Sequence, residues 1–563
     1  MFKKHIPAME WLPNYNKSNL RGDVSAGLIV AIMLIPQGMA YAMLAGIPPV
    51  IGLYASTVPL MIYSLFGTSR QLAVGPVAMV SLLVLSGVSG LAEPGSSEYL
   101  SLVLLLMLMV GLIQLLMGIL KLGFLVNFLS HAVISAFTSA AAIIIGMSQL
   151  KHLLGINLTS GENIFFILSE SIKRISDTNL ITLSLGVTGI ILLVLMKRLV
   201  PKIPGPLVIV VVSILVVSSF QLDHQGVKIV GNVPQGFPSL SFPSITFGSV
   251  VSLLPIALTI SFIGFMESIA MGKAIAAKEK YKVIPNKELI GLGLANIGGS
   301  FFSGYPVTGG FSRSAVNYQA GAKTPLATMI TALIISLTLL FFTGVFYFLP
   351  NAILAAIIMV AVYSLIDLKE ARYLFQIRAL DGWTWVITFL STITLGIEQG
   401  IFIGVLFSLL IYVYKSAYPH MAELGYLPEE KVYRNIKRYP EAKVDREVMI
   451  FRIDSALFFA NMTFMEEKLC ERILERPETN WIILDFSGVN SIDAVAIHSL
   501  EEMMETCGRG EIDFHFSGIK GPVRDLLRKA KWEEKYGDRM SHLSIDHALR
   551  YIKGDKGSGR SAK

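Results

Sequence analysis

Two ionisable residues inside long apolar stretches carry the most chemical consequence in this chain: Glu267 and Arg313. Putting either into hydrocarbon costs roughly 2.5–3.5 kcal/mol even on lenient insertion scales, so such residues line cavities or pair with each other. An ion pair between two helices would account for both. Ser312 sets a hydroxyl donor beside Arg313, and two passages rich in Gly and Pro, Leu72-Ala73-Val74-Gly75-Pro76 and Tyr305-Pro306-Val307-Thr308-Gly309-Gly310, precede short apolar segments beginning at Val77 and Phe311. Neither passage continues a helix comfortably. Helices starting after them would aim free amides and the positive ends of their dipoles at a common point, which attracts an anion. Packing of Gly and Pro in crowded helices explains one such break better than two at corresponding places. Gln37 and Tyr41, four residues apart, share a helix face; Gln37 can donate to an oxyanion and Tyr41 can close over it, while ordinary interior packing would also suit them. Glu267 is the acid placed to carry a proton with the anion, or to offset nearby positive dipoles. The expected chemistry is reversible anion binding.

The elements that must hold these residues follow from composition. Of 563 residues, 53% are hydrophobic and 15% charged, against about 25% charged in ordinary soluble chains. Residues 1–420 hold 39 of the 87 Asp, Glu, Lys and Arg, and residues 421–563 hold the other 48. A uniform soluble enzyme is excluded; a polytopic membrane region with a polar tail is implied. The basic excess lies in the membrane part, so it reads as an orientation signal and not as a nucleic-acid surface. Lys3, Lys4, Lys17 and Arg21 before Ala40-Tyr41-Ala42 resemble a cleaved signal peptide; the length of the run and its later echoes make it a span instead.

Fourteen spans are predicted, near 24–45, 49–66, 77–91, 99–119, 124–147, 178–197, 206–221, 250–272, 286–303, 311–321, 324–347, 351–366, 383–397 and 399–417. Those at 77–91 and 311–321 are too short to cross a bilayer as complete helices. With a cytoplasmic N-terminus, fourteen Lys and Arg fall in inside loops, among them Lys202, and four in outside loops: Lys151, Lys173, Arg174 and Lys228. Both termini are therefore expected in the cytoplasm. The pattern of Leu34–Ala40, Ile51–Leu53, Ser64–Gly67 and Gly75–Ala78 recurs in Gly264–Ala270, Ile290–Leu292, Ser300–Gly304 and Gly309–Ser312, with Gln37 opposite Glu267. Seven spans per copy is odd, so the copies enter from opposite sides, the inverted repeat in which transporters build a site at the bilayer midplane. His131 reads as structural and Gly400-x-x-x-Gly404 as a packing motif.

In the tail, Val448–Ile453, Trp481–Phe486 and Ile512–Phe516 read as strands, with helices near 463–475, 494–507 and 521–531, a small α/β domain. The last residues read as a disordered tail. Cys470 and Cys507 show no ligand spacing, so neither a structural metal nor a disulfide framework is expected. No nucleophile–base pair, phosphate loop or metal constellation is visible, and neither an enzyme nor a cofactor is expected.

Ile35-Pro36-Gln37-Gly38-Met39-Ala40-Tyr41-Ala42, Pro48-Pro49 with Gly52-Leu53-Tyr54, Phe66-Gly67-Thr68-Ser69-Arg70, Val74-Gly75-Pro76 and Glu267-Ser268-Ile269-Ala270 resemble the sulfate permease (SulP) family of anion transporters. Leu484-Asp485-Phe486-Ser487-Gly488-Val489-Asn490-Ser491-Ile492-Asp493 resembles the signature of the STAS domain carried at that family's cytoplasmic end. The resemblance implies a 7+7 inverted repeat of core and gate domains, a homodimer, elevator movement of the core, and an anion held between the third and tenth spans. Carried over by motif, the contacts are Gln37, Tyr41, Val77, Phe311, Ser312 and Arg313, with Glu267 as the coupling acid. Ala494 follows Asp493 where phosphorylation-switched STAS relatives have Ser, which leaves docking or stabilisation, and a possible cytosolic partner, for that domain.

The expected organisation is a cytoplasmic segment over 1–23, a transporter domain over 24–420, a STAS domain over 430–555 and a tail over 556–563. The expected function is secondary transport of a small inorganic oxyanion, sulfate first, across the plasma membrane (a bacterial inner membrane), with H⁺ or Na⁺ co-transported. Bicarbonate or dicarboxylate transport is the alternative. A nucleobase transporter is disfavoured because it would need a carboxylate where Arg313 stands. A membrane-anchored STAS regulator would have no use for broken helices.

Overall fold

The computed structural model describes residues 7–13, 15–124, 130–156, 164–200, 204–508 and 512–554. Lys3, Lys4, Lys202 and the expected tail at 556–563 lie outside them. The chain divides into two compact units, residues 1–408 and 409–563.

Helices occupy the fourteen places expected from apolar run length; the fifth is described from His131, residues 125–129 of its expected range lying outside the described residues, and the last, Ile397–Ala417, crosses from the first unit into the second. Two further helices, Ile164–Lys173 and Leu368–Ile377, were not expected. The first span is Lys17–Leu44, capped by Asn16, whose side chain accepts from Ser18 N, and it carries Pro36 inside it. The second is interrupted, Pro49–Tyr54 then Val58–Phe66. The third, Ala78–Ser89, has 12 residues and the tenth, Phe311–Gln319, has 9. At 1.5 Å per residue these reach about 18 and 14 Å, well short of a hydrocarbon core of about 30 Å. The fourth span is Ser97–Ile119, the eighth Phe247–Glu279 with Pro255 inside, and the ninth Pro285–Ser300. Eight helices among the described residues are long and apolar enough to cross a membrane whole.

Small residues let these helices approach closely, as packing inside lipid demands. A Cβ on Gly293 of the ninth span would fall 2.6 Å from the Leu115 backbone nitrogen of the fourth, and one on Gly111 would fall 2.6 Å from Ile297 N. Gly400 and Gly404 likewise lie against Thr392 and Thr388 of the preceding helix, the packing use expected for that motif.

Two buried carboxylates fasten loops to span ends. Asp23 accepts from Lys323 N at 2.7 Å, Thr324 N at 3.0 Å and Thr324 Oγ1 at 2.7 Å, joining the first span to the loop after the tenth. Glu288 accepts from Tyr63 Oη at 2.6 Å, Ser69 N at 2.9 Å and both donors of Thr68, joining the ninth span to the approach to the third. His131 pairs with Glu370 at 3.5 Å on an exposed surface, in keeping with a structural role.

The first unit contributes two short strands, β1 (Val74–Gly75) and β2 (Thr308–Gly309). The second unit contains β3 (Met421–Leu427), β4 (Val432–Asn435), β5 (Val448–Ile453), β6 (Trp481–Asp485) and β7 (Asp513–Ser517), which form a five-stranded sheet in the order β4-β3-β5-β6-β7. β5, β6 and β7 run parallel, while β3 is antiparallel to both its neighbours. The three parallel strands match the apolar runs read from the sequence. β3 and β4 escaped that reading because Met421-Ala-Glu-Leu-Gly-Tyr-Leu carries Glu423 and Gly425. In the fold Glu423 is buried and paired with Arg476 at 2.7 Å. Asp493 caps the Ala494–Gly508 helix by accepting from Ala496 N at 2.6 Å, and also accepts from Phe459 N. The end of the signature is thus held by capping. Cys470 is disulfide-bonded, contrary to the expectation of no disulfide.

Candidate functional site

The third and tenth spans begin from one small piece of sheet. Val74–Gly75 (β1) and Thr308–Gly309 (β2) pair antiparallel, Val74 opposite Gly309 and Gly75 opposite Thr308, and Gly310 N donates to Ala73 O at 3.0 Å. These are the two Gly/Pro-rich passages, one from each half of the repeat. Val77 is the extended N-cap of the third span and Gly310 that of the tenth. Two helices of opposite repeat halves therefore start within a few residues of one ladder. The backbone groups that helix formation would otherwise have paired are satisfied there without water, as the interior of a bilayer requires.

Arg313 lies in the first turn of the tenth span and is 2% exposed. Its Nη1 donates to Pro76 O, across the repeat interface. Its Nε and Nη2 are buried without a hydrogen-bond partner. The guanidinium fits because two glycines make room: a Cβ on Gly310 would sit 2.8 Å from Nη2, and one on Gly75 3.4 Å from it. Glu267, from the middle of the eighth span, has its Oε2 buried and also unpartnered. The Arg–Glu ion pair that would have made both residues structural is not formed, since no salt bridge joins them among the described residues. They nevertheless lie within electrostatic reach of each other and of Tyr41 and Tyr305.

The remaining candidates occupy the same neighbourhood unevenly. Gln37 and Tyr41 are buried on the first span, which packs on both short helices. Val77 is buried, whereas Phe311 is 46% exposed and Ser312 is exposed at the open side of the tenth span's amino end. An open hollow of about 370 Å³ lies elsewhere, against Leu368, Lys369, Arg372, Tyr373 and Gln376, and none of these candidates lines it.

Several polar side chains that fix this geometry were not singled out from the sequence. Ser314 Oγ accepts from Ala73 N at 2.9 Å and Asn317 Nδ2 donates to Gln71 O at 2.9 Å, so one side of the tenth span is stitched to the strand before the third. Ser268 Oγ accepts from Gly309 N at 2.8 Å and lies 2.7 Å from Thr308 Oγ1, itself bonded to Gly264 O. Tyr305, fully buried, meets Ser81 Oγ at 3.0 Å. The available signal was a polar residue inside an apolar run, but Ser and Thr are common in spans because they bond the carbonyl one turn back.

Comparison with known proteins was decisive for family. Residues 20–388 match the sulfate permease family, and residues 439–543 the STAS domain. The chain belongs to the sulfate permease family. Sulfate transporter 4.1, chloroplastic, of Arabidopsis thaliana is 39% identical across 97% of this chain and 82% of its own length. Sulfate transporter 1.1 of the same plant is 35% identical across 97% and 87%. The solved structure of murine Solute Carrier 26 family member A9, an anion transporter in the inward-facing state, aligns with a TM-score of 0.92 at 28% identity, covering 98% of this chain and 94% of that one. As a member of the sulfate permease family the protein is a multi-pass membrane transporter of 7+7 inverted-repeat architecture with a STAS domain, and not an enzyme.

Proposed function

We propose that this sulfate permease family member is a secondary active transporter of sulfate, binding it between the amino ends of the third and tenth spans. The observation that carries this reading is Arg313: a fully buried cation with two unpartnered nitrogens, beside two helix starts that share one ladder. Buried charge without a partner is costly, and an oxyanion supplies the missing acceptors. Gln37, Tyr41 and Ser312 are the proposed polar contacts, and Val77 and Phe311 form the backbone and apolar rim. The printed names of the plant relatives support sulfate as cargo.

In the proposed cycle a divalent oxyanion docks and a proton neutralises Glu267, whose Oε2 has no other partner. The core then moves as an elevator against the gate domain and releases both. Moving one charge against 100 mV involves about 2.3 kcal/mol, so one co-transported proton halves the opposing electrical term on a divalent anion and adds the drive of its own concentration gradient. The preponderance of Lys and Arg in alternate loops supports cytoplasmic termini, a plasma-membrane location and a transporter region over 24–420. The family supports a homodimer, with the STAS region over 430–555 as a docking or stabilising module.

The test is binding and uptake by purified full-length protein. Labelled sulfate should accumulate in proteoliposomes without a partner protein, faster with an inward proton gradient, and unlabelled bicarbonate or dicarboxylate should compete poorly. Absence of sulfate flux, or preferential competition by bicarbonate, overturns the assignment of cargo.

A further inference from the structure

β2 is bonded on both edges, although only one edge faces another strand. On its inner edge lies β1. On the outer edge, at the residue just before β2, Asn296 Oδ1 accepts from Val307 N at 2.9 Å and Asn296 Nδ2 donates to Val307 O at 3.1 Å. A side-chain primary amide here makes both bonds that a neighbouring strand would make. The carboxamide is itself aimed by further contacts: Leu292 O and Gln114 Oε1 also lie 3.1 Å from Nδ2 and share its two protons with Val307 O, and Gln114 Nε2 donates to Ser261 O at 3.3 Å. Asn296 is fully buried and Gln114 is 1% exposed. Two residues further on, Ser268 performs the same service for Gly309 N.

We propose that Asn296, oriented by Gln114, is a positioning residue for the anion site: it replaces an absent β-strand and sets the height at which the tenth span begins. This rests on the site reading above. Val307 lies three residues before Gly310, the N-cap of that span, and six before Arg313. With no water to take over the bonds, freeing Val307 N and O would let the extended segment seek partners elsewhere. Gly310 and the guanidinium would shift with it. Because a site held by helix starts depends on placement within about 0.5 Å, the consequence falls on anion affinity.

The experiment compares sulfate binding by calorimetry on full-length wild type, Asn296→Leu, Asn296→Asp and Arg313→Ala. Asn296→Leu should weaken binding by about tenfold or more while the protein stays monodisperse. Asn296→Asp separates positioning from bulk stability. As a carboxylate it still accepts from Val307 N but faces Val307 O and Leu292 O without a proton to give. Once protonated it donates again. Its affinity relative to wild type at the same pH should therefore recover as pH falls, whereas the same ratio for Asn296→Leu should not. If Asn296→Leu fails to fold, the pH recovery of Asn296→Asp carries the test. Wild-type affinity within about twofold in both position-296 variants, with Arg313→Ala weakened, overturns this inference alone. Wild-type affinity in Arg313→Ala overturns the site reading and this inference with it.

Discussion

Arg313 shows how one residue joins two repeats: its side chain comes from the second half and its one bonded carbonyl, Pro76 O, from the first. Replacing it with Ala removes charge-assisted bonds worth about 1.5–3 kcal/mol, so sulfate affinity should fall roughly 10- to 150-fold in a protein that remains folded. Calorimetry checks this, and an unchanged Kd would exclude Arg313 from the site. Gly310→Ala tests the cradle without touching charge. The added methyl would lie 2.8 Å from Nη2 and 2.9 Å from the guanidinium carbon, so Arg313 must move. Weakening of about tenfold is expected, against little change for Ala at Gly248, where a Cβ would meet nothing within 4 Å. Glu267→Gln keeps the size of the side chain but cannot take up a proton. Sulfate accumulation by that variant should become independent of an imposed pH gradient while sulfate–sulfate exchange persists; a wild-type pH profile would remove Glu267 from coupling.

At the scale of elements, polar side chains tie helices to loops wherever the repeat leaves the backbone irregular. Asp23 and Glu288 do this at span ends, and their place at the ends hid them from a search for charges within spans. The polar domain has a related device that responds to acid. His515 on β7 and His542 are buried with ring nitrogens 3.1 Å apart, and the Ile545–Ile552 helix follows. Burial, then the neighbouring His542 and Arg539, push His515 from 6.5 down to about 4, with Asp513 opposing. Burial, then His547, lower His542, with Asp538 opposing. Folded values below the unfolded ones mean that the unfolded segment binds more protons. Stability is therefore complete above about pH 6.5 and declines as pH falls towards 4. Amide exchange of residues 545–552 in the full chain, corrected for intrinsic rate, should rise roughly tenfold by pH 5.5 from one such histidine. Exchange that does not change between pH 7 and 5.5 would refute this.

For the whole molecule, where a truncation is made matters more than its length. β3 begins at Met421 and sits between β4 and β5, with Ala422, Leu424 and Leu427 buried. Removing 430–563 would leave that strand with both edges bare and its apolar face uncovered, an aggregation-prone arrangement. Removing 419–563 takes the strand away. The shorter deletion should therefore give the more aggregated protein on size-exclusion chromatography. If both elute alike, β3 is not the liability. Whichever cut is used, anion preference should not change, because all proposed contacts lie before residue 320.

The amino-acid sequence by itself determined the spans, the mirrored halves, the two short helices and three of the five strands of the polar domain. Hydrocarbon thickness and strand periodicity are read directly from apolar run length and alternation. It also singled out Arg313, because a charge in an apolar run announces its own cost. Only the tertiary structure decided that Arg313 and Glu267 form no salt bridge, that Val74–Gly75 pairs with Thr308–Gly309, and that Asn296 stands in for a strand. The strand pairing joins residues more than two hundred positions apart, the absent ion pair concerns residues 46 positions apart on different spans, and the last depends on which way an amide faces. Hydrophobic periodicity is a local property of the chain, whereas a hydrogen bond between distant segments exists only once packing has brought its two ends within 3 Å or so.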